Sequence, residues 1–96
     1  MAAYEVMYIV NPNLEEENVN AVVERFNNLI ADQGGKVEEV DLWGKRRLAY
    51  EINKFKEGYY VVVNFQGDAK VVNELQRVMK ISDDVIRFLL LSKEDK

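Results

Sequence analysis

The chain has 96 residues, of which 48% are hydrophobic and 31% charged, a composition that predicts a single small globular domain over residues 1–96. It contains no cysteine and no histidine, which excludes disulfides, thiolate metal sites and the commonest general acid–base group. The formal net charge of −4 argues against attraction of the whole surface to nucleic acid or to anionic lipid.

The sequence gives no sign of a membrane or a secretory signal. Its apolar runs fall far short of the ~20 residues that cross a bilayer. The first residues lack a basic segment followed by an apolar one, which a signal peptide requires. We therefore expect a cytoplasmic protein with no membrane partner, no metal and no cofactor.

Residues 3–10 are rich in β-branched and aromatic types and predict a first strand. Pro12 ends it, and Asn13 followed three residues later by Glu16 predicts a capping box. The next apolar residues have the spacing of one face of a helix of about five turns. Gly34 and Gly35 predict its end.

The second half of the chain repeats the pattern of strand and helix. Residues 37–43 predict a second strand that runs into a basic segment, and Gly58 and Gly67 bound a third strand. Asp68 is the expected cap of a second helix. A turn at residues 82–84 precedes a final strand over residues 85–91.

This order predicts an α+β, ferredoxin-like split β-α-β-β-α-β fold. Two right-handed strand–helix–strand units give a four-stranded antiparallel sheet with both helices on one face. The opposite face should be polar if water covers it. The strands are instead apolar on both faces, so we expect a partner-protein surface there, formed by Met7, Ile9, Tyr60, Val62, Leu89 and Leu91.

Positive charge is concentrated on residues 45–56. That stretch holds five of the thirteen bases and one acid, a charge of +4, so the other eight bases and 16 acids leave −8 on the rest. One interpretation is a solvated hairpin that keeps the protein soluble. The other is a phosphate-binding site, because arginine forks bind phosphate and neighbouring aromatic rings stack on bases.

Two acidic clusters are weaker candidates. Residues 15–17 are all glutamate and complement the dipole at a helix amino terminus. Asp83 and Asp84 could form a carboxylate pair for acid–base chemistry, but adjacent acids in a turn more often cap an element or contact water. We expect Trp43 to be a core or half-buried sheet residue.

Three segments of the chain resemble one known family. The stretch "GKRRLAYEI" at residues 44–52 is followed by "EGYYVVVNF", and the flanking "YEVMYIVNPNL" and "DDVIRFLLL" occur in the same order and at similar spacing. Together they resemble the bacterial small-subunit ribosomal protein six family over residues 3–93. The chain departs from some members at Ala2 and Ala3, where those members carry bases.

The resemblance implies the ferredoxin-like fold, no enzymatic activity, and binding to small-subunit ribosomal RNA in the central domain, or platform. It also implies small-subunit ribosomal protein eighteen as a partner. The signature's glycine is Gly44, and the expected RNA-binding residues are Lys45, Arg46, Arg47, Tyr50, Lys54, Lys56 and Arg87. Strand register decides which of the two adjacent arginines contacts RNA.

Two other functional classes are compatible with the sequence. A ferredoxin-like ligand-binding or oligomerisation module would also account for the apolar open face. A small enzyme is disfavoured by the absence of histidine and cysteine. We expect the free protein to be a monomer, or to self-associate weakly through the open face.

Overall fold

The structure is a computed structural model that describes residues 2–52 and 54–93. Its elements are β1 Ala2–Val10, α1 Glu16–Asp32, β2 Lys36–Ile52, β3 Phe55–Gly67, α2 Ala69–Ile81 and β4 Val85–Ser92. Neither helix within these residues is long and apolar enough to span a lipid bilayer.

The four strands form one antiparallel sheet in the order β2-β3-β1-β4. This is the split β-α-β-β-α-β arrangement, so the predicted fold is confirmed. Both helices pack on the same sheet face, where every second residue of the central strands is buried against them. The core is made of Val6, Tyr8, Val10, Val61, Val63 and Phe65 from the sheet, and Val19, Val22, Val23, Phe26, Ile30, Val71, Leu75 and Met79 from the helices.

Two of the predicted helix boundaries are confirmed in atomic detail. The Asp68 carboxylate accepts the backbone N–H groups of Lys70 and Val71 at the start of α2. At the end of α1, Gly34 adopts a φ of +97°, and the N–H groups of Gly34 and Gly35 donate to carbonyls of the last helical turn. These are the two hydrogen bonds of a Schellman stop.

The predicted cap of α1 at Asn13 is wrong. Asn11 organises this loop, because its side-chain oxygen accepts the N–H of Asn13 at 2.8 Å and its carbonyl accepts the N–H of Leu14. This turn delays the helix, which begins at Glu16 with Glu15 in the cap position and no side-chain capping bond. Asx turns of this kind compete with helix formation at the residues they span.

The second and third strands are longer than predicted. The sequence predicted that the second strand ends at residue 43 and that the third begins at residue 58. In the structure, β2 continues to Ile52 and β3 begins at Phe55. Most of the basic stretch therefore lies in β2 and β3, with Lys45, Arg46, Arg47 and Ile52 paired to β3 and Lys54 in the turn. We call residues 45–56 the basic ribbon. It extends past β1, whose last cross-strand pair joins Val10 to Tyr59.

Among the described sheet residues, Tyr8 is fully buried in the core and carries a polar atom, its hydroxyl, there. Its ring packs edge-on against Phe26, with centroids 5.4 Å apart, and its hydroxyl has no hydrogen-bond partner among the described residues. Burial raises the pKa of Tyr8 well above its usual range. An unpaired buried hydroxyl typically costs about 1–3 kcal/mol of stability.

We expect Tyr8→Phe to raise the free energy of unfolding by about 1 kcal/mol at pH 7, because it removes an unpaired buried hydroxyl. The difference should grow above pH ~10, where tyrosine ionises in the unfolded chain but stays protonated when buried. Ionisation of Tyr8 in the unfolded chain then lowers the free energy of unfolding of the wild type by up to ~1.4 kcal/mol per pH unit, and the variant lacks this loss. Urea unfolding from pH 7 to 11.5 measures both effects.

Tyr4→Phe is the matched control, since Tyr4 is a half-buried tyrosine of the same strand, stacked on Phe65. A loss of stability in Tyr8→Phe at pH 7 would show that the hydroxyl is hydrogen-bonded, and would contradict this account.

Candidate nucleic-acid interface

The two arginines of the basic ribbon lie on opposite faces of it. Arg46 is paired across the strands with Gly58, and Arg47 with Glu57. Since successive side chains of a strand alternate between faces, Arg46 shares the face of the sheet that the helices leave open, and Arg47 has the other face. The register therefore separates the pair that the sequence left interchangeable.

Arg46 belongs to a layered aromatic cluster on the open face. The Trp43 and Tyr60 rings are stacked with centroids 6.0 Å apart and planes 12° apart. The Arg46 guanidinium lies 5.7 Å from the Trp43 ring centroid, and its Nε donates to the Trp43 carbonyl at 3.2 Å. Cation–π contact and hydrogen bond together fix this guanidinium at the base of the ribbon.

Gly44 makes this cluster possible. The β2–β3 register shifts between Leu42 and Gly44, and Gly44 has a φ of +82° with open space where a Cβ would lie. Glycine at positive φ is the usual residue of such a bulge, which re-aims the preceding side chain. Here that side chain is Trp43.

The three lysines of the ribbon are exposed and distributed around it. Lys45 lies on the helix side of the sheet, with Nζ 5.3 Å from the ring centroid of Tyr59. Lys54 lies in the turn between β2 and β3 with a φ of +70°. Lys56 is exposed near the start of β3. The positive charge therefore surrounds the ribbon and is not confined to one face.

Tyr50 and Arg87, both expected to contact RNA, contact each other. Arg87 Nη1 donates to the Tyr50 hydroxyl at 2.6 Å, and the guanidinium lies 5.9 Å from the ring centroid. Arg87 is on β4 and Tyr50 on β2, at opposite edges of the sheet. The ribbon must therefore bend across the open face to bring them together.

Leu48 anchors this bend. It is 7% exposed and is the one buried residue of β2. The ribbon and the sheet enclose a pocket of about 160 Å³. Its walls are Leu48, Ala49, Tyr50 and Ile52 from the ribbon, and Met7, Ile9, Tyr60, Arg87, Phe88 and Leu89 from the sheet.

The protein's own chain covers part of the expected partner-protein surface. Ile9 is only 3% exposed, and Val62 only 6%. Met7 and Tyr60 are half-buried, whereas Leu89 and Leu91 on β4 are 49% and 50% exposed. The apolar area that remains open is therefore centred on β4 and the middle of β1.

Polar and acidic groups border that apolar area. Glu5 is paired with both Asn64 and Leu91, and Asp41 with Val62. Lys93 Nζ donates to Asn64 Oδ1 at 2.8 Å. The open face thus grades from a basic, aromatic end under the ribbon to a mixed, partly acidic end.

Trp43 is a candidate interface residue that sequence analysis undervalued. It is an exposed large hydrophobic residue on the open face, not a core residue. The available signal was its position directly before a glycine and three residues before Arg46, since a bulge glycine reorients the residue that precedes it.

The acidic candidates have structural roles or contact solvent. Asp84 lies 3.8 Å from the Arg25 guanidinium, and its carbonyl accepts the Asn11 N–H at 2.8 Å. Glu16 and Glu17 lie in the first turn of α1, where they complement the helix dipole. Over residues 2–52 and 54–93, no three acidic side chains converge on a point where they could hold a metal ion.

Known proteins of one family match this chain over almost its whole length. The family model described as ribosomal protein S6 matches residues 3–92. The small ribosomal subunit protein bS6 of Moorella thermoacetica is 55% identical over 96 residues, covering 100% of this chain and 98% of that protein. The protein of the same name from Clostridium acetobutylicum is 56% identical over 94 residues, covering 98% and 99%.

A solved structure is similar in fold as well. The crystal structure of 30S ribosomal protein S6 from Thermotoga maritima matches with a TM-score of 0.93 and 36% sequence identity. The match covers 98% of this chain and 89% of that one.

The base of the ribbon depends on a close approach at Gly58. A Cβ built there would lie 2.3 Å from Ile9 Cγ2 and 3.3 Å from the Val10 carbonyl oxygen. We expect Gly58→Ala to destabilise the protein by about 1–3 kcal/mol, because the γ-methyl of a β-branched residue cannot swing away. Chemical unfolding measures the loss.

Combining Ile9→Ala with Gly58→Ala shows whether Gly58→Ala destabilises the protein through the clash with the Ile9 side chain or through an effect on the backbone. If the clash is responsible, the double variant should be more stable than the sum of the single changes predicts. Strict additivity would contradict the packing described at Gly58.

Proposed function

The chain belongs to the ribosomal protein S6 family, and from that membership we propose that it binds small-subunit ribosomal RNA through the basic ribbon. Its relatives are named as small-subunit ribosomal proteins, so it is a structural protein of translation in the cytoplasmic ribosome and not an enzyme. The RNA element we propose is the central domain, or platform. Small-subunit ribosomal protein eighteen is the proposed protein partner.

The observation that carries the RNA proposal is the basic ribbon itself. An acidic protein concentrates five of its thirteen bases on the β2–β3 hairpin, which extends past the end of β1 and folds over the open face. Salt screens surface charges beyond about 8 Å at physiological ionic strength. A phosphate at the ribbon therefore interacts with +4 of nearby charge more strongly than with the −8 on the rest of the chain.

The geometry of the ribbon suits a nucleic-acid backbone. Arginine forks bind phosphate oxygens in two-pronged fashion, and Arg46 and Arg47 present two such forks on opposite faces. Trp43 is 44% exposed beside Arg46, and the part of its ring that Tyr60 and Arg46 leave open is of the kind that packs on bases and sugars. Tyr50 is a weaker stacking candidate, since Arg87 already contacts its ring and hydroxyl.

The proposed site for the partner protein is the apolar area around Leu89, Leu91 and Met7. Leu89 and Leu91 are half exposed at adjacent positions of one strand face, and a partner that covers them stabilises the complex by removing apolar surface from water. Glu5 and Asp41 lie beside this area and would complement a basic protein, because opposite charges across an interface favour association. A partner bound here would leave the ribbon free for RNA.

We expect the double variant Arg46→Ala, Arg47→Ala to weaken binding to a transcribed central-domain fragment of the RNA, in the presence of the partner protein. Each lost phosphate contact lowers the slope of log affinity against log salt by about 0.7–0.9, so the slope should fall by about 1.4–1.8. Filter binding at several salt concentrations measures it.

Arg77→Ala is the matched control, since Arg77 is an exposed arginine of α2 that is bonded to Glu74 on the helix side of the sheet. An unchanged slope in the double variant would show that the two ribbon arginines are merely solvated.

We expect the double variant Leu89→Asn, Leu91→Asn to bind small-subunit ribosomal protein eighteen at least tenfold more weakly, because burying two leucines contributes about 1.5–3 kcal/mol each at full burial. Ile81→Asn is the control, since Ile81 is an exposed aliphatic residue at the end of α2. Calorimetric titration measures the affinities.

Sedimentation of the free protein tests the competing oligomerisation module, which would use the same leucines. A monomer at micromolar concentration supports the proposal. A tight dimer that the asparagine changes dissociate would favour the competing function.

A further inference from the structure

The basic ribbon crosses the sheet on which it folds. It leaves from β2 at one edge, and Tyr50 reaches Arg87 on β4 at the other edge, passing over β3 and β1. Long side chains seldom hydrogen-bond across a whole sheet, since neighbouring strands lie ~4.8 Å apart. The contact therefore reports the position of the ribbon and not merely a neighbouring pair.

Two further contacts hold the ribbon in the same position. Leu48 is buried although the residues on both sides of it, Arg47 and Ala49, are exposed. Gly58 removes the side chain that would otherwise separate the base of the ribbon from Ile9. The buried Leu48 side chain and the close approach of Gly58 to Ile9 thus support the polar contact made by Tyr50.

We propose that the hydrogen bond between Arg87 and Tyr50 is a latch that orders the basic ribbon over the open sheet face before RNA binds. Arg87 is then a positioning residue and not a phosphate ligand, and the Tyr50 hydroxyl serves the latch. The inference rests on the proposed function for its RNA consequence, but the latch itself is a property of the free protein.

The latch has a physical benefit for binding. A free two-stranded ribbon is marginally stable in water, and ordering it at the moment of binding would cost affinity. A ribbon that is already held across the sheet presents Arg46 and Arg47 in fixed positions. Both groups are exposed to solvent, so the donation from Arg87 contributes about as much as one ordinary net hydrogen bond, and the buried Leu48 supports it.

Hydrogen exchange of the free protein tests the latch directly. Tyr50→Phe and Arg87→Gln should each speed exchange of the backbone amides of residues 46–50 by about threefold to tenfold, the effect of one net hydrogen bond of ~1 kcal/mol. Amides of the central strands should not change. Arg77→Gln, which removes an arginine on the helix side, should leave both regions unchanged.

Binding to the central-domain RNA fragment separates positioning from phosphate contact. If the latch is correct, Tyr50→Phe and Arg87→Gln weaken binding by similar factors of about three to ten, the double variant is no weaker than either single one, and the salt slope is unchanged. A phosphate ligand behaves differently, because Arg87→Gln would lower the slope by about 0.7–0.9 while Tyr50→Phe would have little effect.

Either unchanged exchange of residues 46–50 in both variants or that second pattern of binding would overturn the latch. If the wild-type protein does not bind the RNA at all, the proposed function fails, and the exchange experiment still decides whether the latch exists.

Discussion

The pairing of β2 with β3 continues past the end of β1, and this mismatch in strand length determines how the open sheet face is covered. Where β1 stops, the hairpin has no neighbouring strand on its inner edge. Such a ribbon must find support elsewhere or lose its order. It finds support by bending over the open face, where Leu48 is buried and Tyr50 meets Arg87. The apolar residues of that face are therefore partly a docking surface for the protein's own chain.

This arrangement divides the open face into two areas with different chemistry. Under the ribbon, arginine and aromatic side chains lie together, with Arg46 bonded to the Trp43 backbone. Beyond it, Leu89 and Leu91 remain half exposed beside acidic residues. Under the proposed function, the basic area of this protein of net charge −4 would contact RNA, and the apolar, acid-bordered area would contact a basic protein. Neither site needs catalytic groups, in keeping with a structural ribosomal protein.

The sequence predicts the fold well because local signals agree with it. The cap at Asp68, the stop at Gly34 and the alternation of apolar residues act over a few positions and are visible without a structure. The cap at Asn13 failed because Asn11 competes for the same backbone groups. The length of β2 was hidden because a backbone ladder places no demand on side chains, so charged residues such as Arg46 and Arg47 can form strand. The contact of Tyr50 with Arg87 depends on the curvature of the ribbon, which no spacing in the sequence encodes.

In the proposed complex, RNA contacts the ribbon while α2 stays exposed to solvent. Lysine acylation followed by mass spectrometry tests it, because the chain carries exposed lysines on both parts. We predict that Lys45, Lys54 and Lys56 lose reactivity when the protein binds the RNA with its partner, and that Lys70 and Lys80 of α2 keep theirs. Protection of the two helix lysines with unchanged reactivity of the ribbon would contradict the account.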